Sequence, residues 1–102
     1  AIEEYPNLIV GKWTHDNSKY DLENTELDTF EFTANHEIFE IPHQKGVAGR
    51  TKMGSWSINA DTLIAIQYGG KHVSKIIKLR KFEFVERPIN STGSDFYFKR
   101  VE

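Results

Sequence analysis

Apolar and polar residues alternate along most of this 102-residue chain. Turn-forming residues interrupt the alternation about every ten residues, and no stretch keeps the period of an amphipathic helix. Alternation places successive side chains on opposite faces of an extended segment, which is typical of half-buried strands. The pattern predicts eight short strands, at residues 11–15, 27–33, 37–41, 50–58, 62–68, 71–79, 82–86 and 95–101.

The two ends of this strand series predict how the sheet closes. Gly11 and Trp13 lie in the first predicted strand, and Arg100 lies in the last. In a closed meander the first and last strands become neighbours, so the Arg100 guanidinium would lie over the Trp13 indole. We therefore expect an all-β chain that forms one domain, residues 1–102. Its fold would be an antiparallel up-and-down β-barrel, closed at one end by Gly11, Trp13 and Arg100.

The aromatic residues favour one face of the predicted strands, and that face is expected to point inward. So many large side chains would leave only a small cavity, suited to a slim apolar molecule. We expect it to open away from Trp13, between the loops at residues 43–49 and 87–94. The predicted inward residues are Trp13, Phe30, Phe32, Trp56, Ile58, Phe82, Phe84, Phe96 and Phe98. Those predicted to contact a ligand are Phe30, Phe32, Trp56, Phe82, Phe84 and Phe96.

Two neighbouring strands are harder to orient. The strand at residues 62–68 is apolar on both faces, so either Ile64 and Ile66 or Leu63 and Ala65 point inward. In the following strand the predicted inward residues are Val73, Ile77 and Leu79, with Lys75 facing outward.

The charge balance argues against nucleic acid as a partner, because 13 basic residues are offset by 15 acidic ones. One basic cluster lies beside the aromatic Phe82 and Phe84, an arrangement also found on oligonucleotide-binding surfaces. Lys71 and Lys75 alternate with apolar residues, so we interpret the cluster as a solvated strand face. The compensating acidic residues nearby are Glu83, Glu86 and Asp95. The cluster is Lys71, Lys75, Lys78, Arg80 and Lys81.

No catalytic or metal-binding motif is recognisable. The chain has no cysteine, no Gly-x-Ser-x-Gly sequence and no phosphate-binding loop. Its four histidines have neither helical i, i+4 spacing nor a His-x-His sequence, so we interpret them as exposed loop residues. They are His15, His36, His43 and His72. We predict a protein that is not an enzyme and needs no cofactor or metal.

Several segments, in order, resemble the small bacterial lipocalin-like domain family, a group of calycin-like barrels. They are Leu8-x-x-Gly11-x-Trp13, Phe30-Glu31-Phe32-Thr33, Gly54-Ser55-Trp56-Ser57-Ile58, Asp61-Thr62-Leu63, Lys75-Ile76-Ile77-Lys78-Leu79 and Tyr97-Phe98-Lys99-Arg100-Val101. Lipocalins proper are similar in the Gly-x-Trp and in an arginine of the last strand. This chain is much shorter than a lipocalin and has no Thr-Asp-Tyr motif, disulfide or C-terminal helix.

The resemblance implies an extracytoplasmic protein, located in the periplasm, on the outer membrane surface or outside the cell. No transmembrane segment is expected, and the start at Ala1 suggests a trimmed form that is compatible with a lipid anchor upstream. The leading hypothesis is a barrel that binds a small apolar ligand or serves as a cell-envelope module. The alternative is a barrel that binds a protein partner, as proteinase-inhibitor barrels do. A continuous apolar cavity would favour the ligand, and a filled core with an exposed apolar patch would favour the partner.

Overall fold

A computed structural model describes residues 2–16, 29–42, 49–89 and 95–101 of the chain. A short 3₁₀ turn (Ile2–Glu4) and the one-turn helix α1 (Tyr5–Leu8) precede a single closed antiparallel barrel. The all-β barrel predicted from the alternation is therefore confirmed. Its strands are β1 (Gly11–His15), β2 (Thr29–Phe32), β3 (Glu37–Ile41), β4 (Thr51–Asn59), β5 (Thr62–Gln67), β6 (Gly70–Leu79), β7 (Glu83–Pro88) and β8 (Phe96–Arg100).

Closure is made by β1, which pairs with β2 on one side and with β8 on the other. Trp13 lies opposite Phe30 in the first pair and opposite Arg100 in the second. Each strand runs antiparallel to its neighbour, so the ends of the barrel can be assigned from the strand directions. The Trp13 end contains the start of β1 and the β2–β3, β4–β5 and β6–β7 turns.

Helix α1 and the residues after it cover this end of the barrel. Ile9 is fully buried, and its carbonyl oxygen accepts a hydrogen bond of 2.8 Å from the indole nitrogen of Trp13. Tyr5, Leu8 and Val10 pack against the same core. No helix in the described ranges is both long and apolar enough to cross a bilayer.

Strand β5 has an unambiguous inward face in the structure. Leu63 and Ala65 are buried, whereas Ile66 is about half exposed and Ile64 is partly exposed. Of the two alternatives left open by the sequence, the structure selects Leu63 and Ala65.

Strand β6 departs from simple alternation because it contains a bulge. The register with β7 shifts between Ile76 and Lys78, so one residue of β6 has no directly opposed partner. Ser74 and Ile76 face inward before the bulge, and Leu79 faces inward after it. The inward prediction for Leu79 is confirmed, but that for Ile77 is wrong, because the extra residue turns Ile77 outward.

The inward prediction for Phe82 is also wrong. The strand that was predicted to begin at Phe82 begins at Glu83, and Phe82 lies in the preceding turn with 52% of its surface exposed. Alternation places Phe82 on the inward face only if the strand extends that far. Outside the barrel, its ring is covered instead by the Lys81 ammonium, 5.2 Å from the ring centre.

Candidate ligand cavity

A cavity of about 550 Å³ occupies the barrel interior above Trp13. This volume lies in the lower half of the range of small-molecule sites, about 300–1,000 Å³, and suits a small ligand. Small inward side chains leave this space open, since Ala65 and Ser74 stand where larger residues would fill it.

Most of the predicted ligand-contacting residues line this cavity. Phe30, Phe32, Phe84 and Phe96 contribute to its wall, together with Trp13 and Phe98. Their rings also pack on one another: Phe84 stacks on Phe98 at 5.1 Å between ring centres and meets Trp13 edge-on at 5.7 Å. The aromatic wall is thus a surface of rings that pack on one another.

Trp56 and Phe82 are the two predicted ligand contacts that do not line the cavity. Phe82 lies outside the barrel, as described above. Trp56 is buried, as predicted, but its indole nitrogen donates to the Thr33 carbonyl oxygen and its ring stacks on His36, with 4.5 Å between ring centres. Trp56 therefore helps to cover the closed end. Ile58, predicted inward, is partly buried against the core and does not line the cavity.

Arg100 holds the closed end together. Its guanidinium carbon lies 4.4 Å from the centre of the Trp13 ring, which confirms the predicted stacking. The same guanidinium donates hydrogen bonds to the carbonyl oxygens of Leu8, Val10 and Lys81. One side chain thus links the segment before β1 to the β6–β7 turn.

Gly11 completes this closure by its absence of a side chain. Its φ is +138°, and a Cβ atom at this position would clash with the Nη1 atom of Arg100. A side chain at residue 11 would therefore strain the backbone and force the Arg100 guanidinium to move. The Gly-x-Trp motif and the arginine of the last strand form one packed unit.

The sequence interpretation missed Glu86, the acidic residue of the cavity. On β7, Glu86 shares the inward face of Phe84, and its neighbours across the sheet are the buried Ile76 on β6 and Phe96 on β8. Glu86 lies two residues after Phe84 in the same strand, so alternation indicates this orientation. The residue was nevertheless interpreted only as a charge that offsets the nearby lysines. Burial raises the pKa of Glu86 to about 7, because the carboxylate is removed from bulk water.

Glu86 has no hydrogen-bond or ion-pair partner among the residues that the structure describes. No side-chain oxygen of the described residues is both sealed from solvent and unpaired. The Glu86 carboxyl group therefore faces the open volume of the cavity, where a ligand would reach it.

Histidines also contribute to the cavity, and the interpretation of His15 as an exposed loop residue is wrong. His15 lies inside the barrel, 4.6 Å between ring centres from Phe98, and burial lowers its pKa and favours the neutral ring. It was misread because it ends β1, where it still shares the inward face of Trp13. His36 is exposed in the β2–β3 turn, as predicted, with its ring stacked on Trp56. His72 is exposed, as predicted, but lies in β6 rather than in a loop, and His43 lies outside the described residues.

The end of the cavity away from Trp13 is more polar than its base. Gln67, Lys71 and His72 line it there, with Pro88 and the partly exposed Phe96. The ends of β3 and β7 and the starts of β4 and β8 lie at this end, as the predicted rim requires. Residues 43–48 and 90–94 of that rim lie outside the described residues. No group of three or more acidic or histidine side chains in the described ranges is arranged to hold a metal ion.

No protein-family model, no curated protein and no solved structure matches the chain. The resemblance to the small bacterial lipocalin-like family stays a prediction, as does the extracytoplasmic location that it implies.

Proposed function

We propose that this protein is a non-enzymatic barrel that binds a small, largely apolar ligand in its interior. The observation that carries the proposal is the cavity of about 550 Å³ with its aromatic wall. Apolar walls with a few polar groups are the usual composition of small-molecule sites. Burying apolar ligand surface there would contribute roughly 25 cal/mol per Å² before the costs of association.

The rigid closed end supports the same proposal. Arg100 and Trp13 hold the base of the cavity independently of any ligand, so the aromatic wall is formed in advance. A preformed site loses less free energy on binding than one that must be ordered by its ligand. A filled core would have favoured the alternative, a barrel that binds a protein partner. The open volume above Trp13 supports ligand binding instead.

Binding can be tested with N-phenyl-1-naphthylamine, a neutral dye whose fluorescence rises in apolar surroundings. We expect saturable binding at micromolar concentration and a change in tryptophan emission, because Trp13 lines the cavity. Two adjacent substitutions provide a matched pair. Ala65→Phe places a ring in the cavity and should abolish binding, whereas Ile66→Phe places the same ring outside and should leave it unchanged.

The absence of saturable dye binding by the wild-type protein would contradict the proposal. Equal binding by the Ala65→Phe and Ile66→Phe variants would place the dye elsewhere and contradict it as well. Both variants should show the far-ultraviolet circular dichroism of the wild type, so that loss of binding is not loss of fold.

A further inference from the structure

A carboxyl group inside an aromatic cavity points to the chemistry of the ligand. Glu86 lies on the inward face of β7, with Ile76 and Phe96 directly opposite on the two neighbouring strands. Directly opposed side chains in antiparallel strands have Cβ atoms about 4.5–5.5 Å apart, so an apolar and an aromatic group flank the carboxyl group. A group placed beside Glu86 would therefore meet a carboxylate and a ring at once.

Among the described residues, none of the charged groups around the cavity serves as a counter-ion to Glu86. Arg100 is held at the closed end by the carbonyl oxygens that it binds. Lys71 and His72 line the opposite end and are exposed, and His15 faces the interior from β1 as a ring whose neutral form is favoured. None of these groups forms an ion pair with Glu86 within the described part of the chain.

We propose that the ligand is an amphipathic amine, whose ammonium group pairs with the Glu86 carboxylate while its apolar part fills the cavity. An ammonium ion satisfies the carboxylate through charge-assisted hydrogen bonds and is attracted to the faces of nearby aromatic rings. A ligand carboxylate would bring a second negative charge beside Glu86, and a neutral ligand would leave the Glu86 charge without a counter-ion. This inference rests on the proposed function, since it names the ligand class of the same cavity.

The dye bound in the cavity provides a direct competition test. Octylamine, 1-octanol and octanoate share one chain and differ only in the head group. At pH 8, both the Glu86 carboxylate and the octylamine ammonium group are charged, since alkylammonium pKa values are about 10. We expect octylamine to displace the dye at a concentration about tenfold lower than 1-octanol, and octanoate to be the weakest.

Two substitutions on the same strand separate Glu86 from the general charge of the protein. Glu86→Gln keeps the shape of the side chain and should remove the preference for octylamine while leaving 1-octanol unchanged. Glu83→Gln removes the same charge from a residue that pairs with Lys78 at the surface, and should keep the preference. Unchanged displacement by 1-octanol shows that the cavity of the Glu86→Gln protein is intact.

A pH series gives a second measurement that needs no variant. The preference for octylamine over 1-octanol should decrease from pH 8 to pH 5.5 as Glu86 takes up a proton. The same series in Glu86→Gln reports what His15, His72 and Lys71 contribute, and should be nearly flat.

The outcomes distinguish this inference from the proposed function. If 1-octanol displaces the dye but octylamine is no better, or if Glu86→Gln keeps the preference, the amine proposal is overturned and the apolar cavity stands. Octanoate as the strongest competitor would likewise overturn it and indicate a site for an anionic lipid. If the dye does not bind the wild-type protein, both proposals are overturned.

Discussion

At the closed end of the barrel, the Arg100 guanidinium fills the space into which a side chain at Gly11 would point. A Cβ atom at residue 11 would lie closer to the Nη1 atom of Arg100 than such atoms approach in proteins. The guanidinium stacks on Trp13 and binds the main-chain oxygens of Val10, just before β1, and of Lys81, in the β6–β7 turn. The glycine, the tryptophan and the arginine therefore depend on one another.

Gly11→Ala is expected to lower the free energy of unfolding by about 2–4 kcal/mol, because backbone strain adds to the displacement of Arg100. Gly69→Ala is the matched control: Gly69 also has a positive φ, +80°, but a Cβ there meets nothing within 4 Å. Urea denaturation of both variants measures the difference. If Gly11→Ala costs no more in the wild type than in an Arg100→Ala background, the steric coupling does not exist.

Arg100→Lys is expected to destabilise the barrel almost as much as Arg100→Ala, by about 2–3 kcal/mol. A lysine ammonium cannot reach the carbonyl oxygens of Leu8, Val10 and Lys81 together or stack as a plane on Trp13. Lys99→Ala removes an exposed charge from the residue that precedes Arg100 in β8 and serves as the control. Thermal unfolding with near-ultraviolet circular dichroism of Trp13 measures both. A lysine variant as stable as the wild type would mean that charge alone closes the barrel.

The stability of the protein should fall as the pH rises through the range in which Glu86 ionises. The pKa of Glu86 is raised by burial from 4.5 to about 7, so between these values the unfolded chain loses a proton that the folded chain keeps. The stabilising contribution is complete below about pH 4.5 and lost above pH 7. We expect a decrease of order 2 kcal/mol, because the exposure of the group to the cavity reduces the full linkage value.

Glu86→Gln isolates this contribution from those of other groups. His15 acts in the opposite direction, since burial lowers its pKa and stability due to it rises with pH up to about 6.5. The difference between wild type and Glu86→Gln in urea denaturation, taken at several pH values, cancels His15, His72 and Lys71. The variant should be the more stable protein at pH 8. A difference that does not change with pH would show that Glu86 is hydrated in the folded state.

The bulge in β6 predicts opposite outcomes for two identical adjacent residues. Ile76 is 3% exposed and Ile77 is 39% exposed. Ile76→Ala should cost about 2–4 kcal/mol through lost burial and an enlarged cavity, and Ile77→Ala less than about 1 kcal/mol. Urea denaturation measures both. Equal costs would mean that the register shift is absent and that both residues share the packing.

The sequence predicted the fold and the closure because both depend on alternation and chain order. Trp13 and Arg100 could be paired from the sequence alone, since only closure brings the first and last strands together. Alternation failed where it was interrupted locally. A bulge turned Ile77 outward, and Phe82 fell just outside a strand whose end could not be located to one residue.

Glu86 was missed for a different physical reason. A charged residue in a strand is expected to face water, since burying an unpaired carboxylate is costly. The alternation that places Phe84 inward also places Glu86 inward. In the structure the alternation holds, because a cavity lies next to Glu86. The size of that cavity was equally beyond the sequence, since it depends on how Ala65 and Ser74 are placed in three dimensions.

The pairing of β1 with β8 has a consequence for how the chain reaches this structure. Arg100 and the Val10 oxygen that it binds are 90 residues apart in the chain. Joining such distant segments has a high entropic cost of loop closure, and barrels of this kind fold in roughly milliseconds to seconds. Until β8 docks, β1 and β8 each expose unpaired backbone groups that can pair with another chain. Substitutions at the seam are therefore expected to increase aggregation during synthesis by more than their equilibrium effect suggests.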